Sequence, residues 1–163
     1  MSFIGFLVKR KDEKNFRELL KNIICEEAIA INEKSISNIK NVHFETVIMD
    51  KNIIEAREND LNEIVKNVKY LIINADKVDM SKIKDANLTI ITYGFNNKST
   101  ITASSVEDDN LLICLQRNIK GIKGNEIEPQ EVKQDQDAKL KDSYLKMALV
   151  ATELIYHQKI TKK

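Results

Sequence analysis

Only one proline and four glycines occur in the 163 residues, so the chain has no flexible linker of the Pro- or Gly-rich kind. Cysteine is almost as scarce. Cys25 and Cys114 lie far apart and match no metal-binding or redox spacing. Both sit in apolar surroundings, NIICEEAIA and LLICLQ, as buried thiols of a reducing compartment do. An excess of charge of one sign is missing too: 26 basic side chains face 25 acidic ones. That balance gives no electrostatic footprint for nucleic acid or for an anionic membrane. Long hydrophobic runs are absent. The apolar start, MSFIGFLV, is too short for a signal-peptide core or a membrane span. The expectation is a cytoplasmic protein with no nucleic-acid or membrane partner.

What is present suits one folded domain, residues 1–163. Hydrophobic residues make up 42 %, enough for a sizeable core. Apolar runs at Phe3–Val8, Ala28–Ile31, Phe44–Met49, Tyr70–Asn74 and Leu88–Tyr93 read as strands buried on both faces. Between them, Phe16, Leu19, Leu20, Ile23 and Ile24 recur at helical spacing, as do Leu61, Ile64, Val65 and Val68. Residues 35–41 allow one or two helical turns. Asp60 with Glu63 three residues on predicts a capping box at the start of the second helix. Alternating strands and helices with continuous Ile, Leu and Val predict a parallel, Rossmann-like sheet of about five strands over residues 1–94.

The texture changes after Gly94. Thr100–Val106 and part of Asn110–Ile119 alternate and are joined by Glu107-Asp108-Asp109, an acidic hairpin tip. Antiparallel strands are expected over 95–133, with a polar connector at Gln130–Asp137. Leu140, Tyr144, Met147, Ala148, Ala151, Leu154 and Ile155 then form the stripe of a terminal helix over 138–160. The class is therefore α/β, a mainly parallel sheet extended by antiparallel strands and closed by a C-terminal helix.

ITYGFNNKST, residues 91–100, invites reading as a phosphate loop. A loop of that kind needs G-x-x-x-x-G-K-[ST] between a strand and a helix, so that glycine amides and a helix start face the phosphates. Here Gly94 precedes Lys98 by four residues, Asn97 replaces the second glycine, and a strand-like segment follows. The expected structure is a loop between strands. VKRKDEKN, after the first strand, lacks glycine, so no dinucleotide fingerprint is present. His43 and His157 are remote in sequence, and no nucleophile elbow is recognisable. Arg117, Lys120 and Lys123 form a basic strip without the interleaved aromatics that stack on bases.

Leu71-Ile72-Ile73-Asn74-Ala75-Asp76, a spacer, Ile90-Ile91-Thr92-Tyr93-Gly94, and an alternating strand through Ala103 together resemble part of the Mur ligase central domain. Those peptidoglycan-precursor ligases carry a strand ending Asn-Ala-Asp-Asp and another ending Thr-[Phe/Tyr]-Gly. The resemblance implies a bacterial cytosolic setting and a nucleoside near Asn74 and Asp76. Lys77 stands where the family has its second Asp, and the family's Gly-Lys phosphate loop has no counterpart here. Nor is there an upstream metal-binding Glu and His, or a separate ligase domain. The implied activity is binding of a nucleotide or nucleotide sugar without catalysis, and without a metal or other cofactor. Open parallel sheets place ligands outside the carboxyl ends of their strands. The candidate ligand residues are those polar groups at such ends: Asn32, Asp50, Asn74, Asp76, Tyr93 and Asn96. The alternative is an interaction module that forms a homodimer through its hairpins or terminal helix.

Overall fold

The computed structural model describes residues 2–24, 27–83, 87–106, 110–134 and 140–157. Five parallel strands run β2-β1-β3-β4-β5 across the sheet: β1 (Phe3–Leu7), β2 (Glu27–Ala30), β3 (Phe44–Met49), β4 (Tyr70–Asn74) and β5 (Thr89–Tyr93). Their order reverses at β1, where an open α/β sheet switches winding direction. Three further strands extend the sheet to eight. β6 (Ile101–Val106) meets β5 in parallel through the single pair Tyr93–Ile101. It then pairs antiparallel with β7 (Asn110–Leu115), which pairs antiparallel with β10 (Gln130–Gln134). A separate two-stranded ribbon joins β8 (Ile119–Lys120) to β9 (Glu126–Ile127).

Strand alternation divides the core into two layers. Ile4, Phe6, Ile48, Ile72, Ile91 and Tyr93 face helices α1 (Glu13–Ile23) and α3 (Ser143–His157). Leu7, Val47, Met49, Leu71 and Ile73 face α2 (Glu58–Val65) on the other side. Continuous apolar strands are needed because helices cover both faces over β1, β3 and β4. Beyond β4, among the described residues, helix covers one face only. The β4–β5 connection carries a single 3-10 turn, Met80–Lys82, among its described residues. The strands past it alternate in burial accordingly, as β7 does. No helix among the described residues is long and apolar enough to cross a membrane.

Several sequence expectations are corrected. α2 begins at Glu58, directly after a 3-10 turn at Glu55–Arg57, so Asp60 is not its cap. The Asp60 carboxylate instead binds Lys40 at 3.0 Å and Arg57 at 3.3 Å. Gln130–Gln134, read as connector, is an edge strand. Such a strand needs few apolar residues, because one neighbour and one face suffice. Of residues 110–119, Asn110–Leu115 form β7, and the chain breaks at Gln116 before it restarts in the ribbon. α3 starts at Ser143, where Asp142 Oδ1 accepts the amides of Tyr144 at 2.8 Å and Leu145 at 3.4 Å, an N-cap. Cys25 and the acidic tip Glu107-Asp108-Asp109 lie outside the described residues.

Candidate functional site at the strand ends

The α3-facing side chains at the carboxyl ends of three adjacent strands are Asp50, Asn74 and Tyr93. Each follows its strand's alternation: Ile48 then Asp50, Ile72 then Asn74, Ile91 then Tyr93. All three are buried, Asp50 at 2 % exposure and the others at 0 %. They converge on one oxygen. Asp50 Oδ1 accepts from the Tyr93 hydroxyl at 2.7 Å and from Asn74 Nδ2 at 3.0 Å. Burial raises the Asp50 pKa against the pull of those two hydrogen bonds; nearby Asp142 adds to the rise and Lys77 opposes it. Burial, then the Asp50 charge, pushes the Tyr93 phenol well above its ordinary value.

Asp76 lies just outside this closed triad, tied to it through its own amide, which donates to Asn74 Oδ1 at 3.0 Å. Its carboxylate is exposed. Oδ2 accepts from the Phe95 amide at 2.7 Å and from the Tyr144 hydroxyl at 3.1 Å. Oδ1 has no hydrogen-bond donor among the described residues. Phe95 meets the Tyr144 ring edge-on at 5.2 Å and keeps 47 % of its surface exposed. The Lys77 ammonium stands 4.5 Å from the centre of the Tyr144 ring, a cation–π contact. Carboxylate, aromatics and amine thus gather where β4, β5 and the start of α3 meet.

Gly94 makes this approach feasible. A Cβ there would lie 2.8 Å from the Asp76 carboxylate, closer than such atoms come. Gly94→Ala is expected to displace Asp76, break its bonds to Phe95 and Tyr144, and cost about 1–3 kcal/mol. Chemical denaturation checks this. A second substitution, Asp76→Ala, should make the Gly94→Ala effect much smaller, because the clashing group is gone.

The remaining candidates do not join this group. Asn32, beyond β2, binds Glu13 Oε2 at 3.1 Å and accepts the amides of Lys34 and Ser35, each at 2.9 Å. That is a turn-forming role. Asn96 likewise accepts the Lys98 amide at 2.9 Å. His157 reaches the Ile23 carbonyl, and Arg117 donates to the Lys98 carbonyl at 2.7 Å. Tyr144, Phe95 and Lys77 were not among the sequence candidates. Tyr144 falls within the apolar stripe of α3 and reads as core. Phe95 carries one local signal, a large aromatic directly after the Gly94 turn.

The segment 94–100 does not cradle an anion. Five of its amides are spent on the protein's own oxygens: Gly94 on Ile101 O, Phe95 on Asp76, Lys98 and Ser99 on Asn96, and Thr100 on Thr92 Oγ1. It leads into β6, not into a helix. A shallow depression of about 300 Å³, which includes open solvent, lies on the α2 side of the sheet. Its floor is Met49, Ile53, Leu61 and Val78, and its rim pair Glu58 and Lys82 neutralise each other at 2.6 Å. No group of metal-ligating side chains occurs among the described residues.

No protein-family model matches the chain. Reticulocyte-binding protein homolog 1 of Plasmodium falciparum is 29 % identical over 163 residues, covering 89 % of this chain and 5 % of that protein. The chain thus spans a small fraction of that relative's length. Neither comparison bears on the Mur ligase resemblance.

Proposed function

We propose that the chain is a Mur-ligase-like binder of a nucleotide or nucleotide sugar, acting at the carboxyl ends of β4 and β5 without phosphoryl transfer. The supporting observation is the exposed group Asp76, Phe95 and Lys77, gathered about the half-buried Tyr144. A carboxylate oxygen free of donors suits the vicinal hydroxyls of a ribose. An exposed aromatic face suits a base. A nearby ammonium suits a phosphate, as a point charge. Binding rather than bond-making follows from the loop, because ATP-dependent ligation works by positioning and neutralising phosphates. Five of the loop's amides that would do so are already committed.

Thermal melts with adenine and uridine nucleotides and nucleotide sugars test the reading. At a hundredfold excess over the dissociation constant the melting temperature should rise by about 5–10 °C. Phe95→Ala and Lys77→Ala should remove that rise while hardly moving the unliganded melt. Both are better probes than Asp76→Ala, which also breaks two internal hydrogen bonds. Absence of any shift at millimolar ligand, or an unchanged shift in both variants, would refute the assignment.

A further inference from the structure

β10 is a terminal strand of the eight-stranded sheet, so among the described residues no strand lies beside its outer backbone groups. Its sequence is Gln130-Glu131-Val132-Lys133-Gln134. Read against a second copy running antiparallel and centred on Val132, every position meets a complement. Gln130 faces Gln134, Glu131 faces Lys133, and Val132 faces itself. Pairing with β7 settles where these side chains sit. Glu131 pairs with Cys114 and Lys133 with Leu112, on the sheet face turned away from α3. Both are exposed, and neither has an ion-pair partner among the described residues. Val132 pairs with Ile113 on the α3 side and is half-buried.

We infer that β10 is a self-association edge, joining two copies of this chain into one continuous sheet about a two-fold axis at Val132. The two-fold operation makes each contact away from the axis occur twice, as an isologous interface requires. Two Glu131–Lys133 pairs form on the open face, and two Val132 side chains meet on the α3 face. Opposite charges directly across an antiparallel ladder attract, whereas like charges in those places repel. Pro129, which has no amide hydrogen to donate, ends the pairing strip on one side. The other edge strand, β2, lacks this symmetry. Centred on Ala28, Glu-Ala-Ile-Ala would set Glu27 against Ile29, and centred on Ile29 it would set Ala28 against Ala30, with no charge matched in either register. Charged edge residues ordinarily discourage pairing. Here they discourage every register except the self-complementary one.

Sedimentation equilibrium over micromolar to millimolar protein tests this, with charge-reversed variants. The wild-type chain should show a monomer–dimer equilibrium. Glu131→Lys and Lys133→Glu each place two like-charged pairs in the interface and should weaken association at least about tenfold. An equimolar mixture of the two variants should associate again, because each then faces its opposite. The double variant E131K/K133E keeps the symmetry and should self-associate like wild type. Both side chains are exposed, so unaltered thermal melts accompany these results; should one single variant melt early, the double variant carries the argument. A wild-type chain that stays monomeric at millimolar concentration overturns the inference. So does a dimer that both single reversals leave intact, or a variant mixture that stays monomeric.

Discussion

An Asp50→Ala variant is expected to lose about 2–5 kcal/mol of stability, while Asp50→Asn is expected to match or exceed the wild-type chain at neutral pH. The difference lies in what each leaves behind. Alanine strips the Tyr93 hydroxyl and the Asn74 amide of their shared acceptor, in a place where both residues have no exposure to water. Each orphaned buried donor costs about 1–3 kcal/mol. Asparagine keeps one oxygen to accept both bonds and removes a charge that burial and Asp142 disfavour. For a chain of this size the alanine loss corresponds to a fall of roughly 5–15 °C in melting temperature.

The comparison of Asp50→Asn with wild type also has a defined pH dependence. The folded-state pKa of Asp50 is raised above its unfolded value, the ordinary aspartate figure of 3.8. The folded chain therefore holds the proton more tightly than the unfolded chain does. Its stabilising share is present in full below the unfolded pKa and is lost as pH rises through the folded pKa. The asparagine variant has no such titration. Its advantage should be absent in acid, open as pH rises through the carboxylate range, and level off above the folded pKa. Urea denaturation at a series of pH values measures the gap directly. A gap that widens toward acid would mean that the two hydrogen bonds outweigh burial, giving Asp50 a lowered pKa.

The parallel part of this fold was readable because its strands are buried on both faces. FIGFL, FETVIM and YLIIN carry unbroken or nearly unbroken apolar runs, and polar residues follow directly where the chain surfaces. Position at a strand end was therefore legible for Asp50, Asn74 and Tyr93. Their depth was not, since it depends on α3 returning from the far end of the chain to close over β4 to β7. Strand alternation then decides which polar residue points under that helix and which points to water. Asn74 and Asp76 illustrate the limit: two residues apart in one motif, one is sealed in the triad and the other is exposed. The edge strand β10, which fell both in the expected antiparallel region 95–133 and in the connector Gln130–Asp137, was ambiguous for the opposite reason. Four of its five residues are polar, and only pairing with β7 makes it a strand.

Leu145→Ala is expected to cost about 2–5 kcal/mol, the usual range for truncating a fully buried leucine. Leu145 is in the first turn of α3, next to Tyr144, and its amide is one of the two that Asp142 caps. Filling the cavity requires this turn to settle toward the sheet, and Tyr144 moves with it. The Tyr144 hydroxyl bond to Asp76 and its ring contact with Phe95 depend on that placement. Tyr144→Phe separates the two effects: it removes only the hydroxyl and costs about 0.5–1.5 kcal/mol. If α3 holds the exposed group in position, Leu145→Ala lowers both stability and nucleotide affinity, whereas Tyr144→Phe lowers affinity with a small change in stability. Denaturation curves combined with ligand titrations of the two variants distinguish the contributions. Full ligand affinity in a folded Leu145→Ala chain would show that the strand-end group is organised by β4 and β5 alone, with α3 acting as a cover.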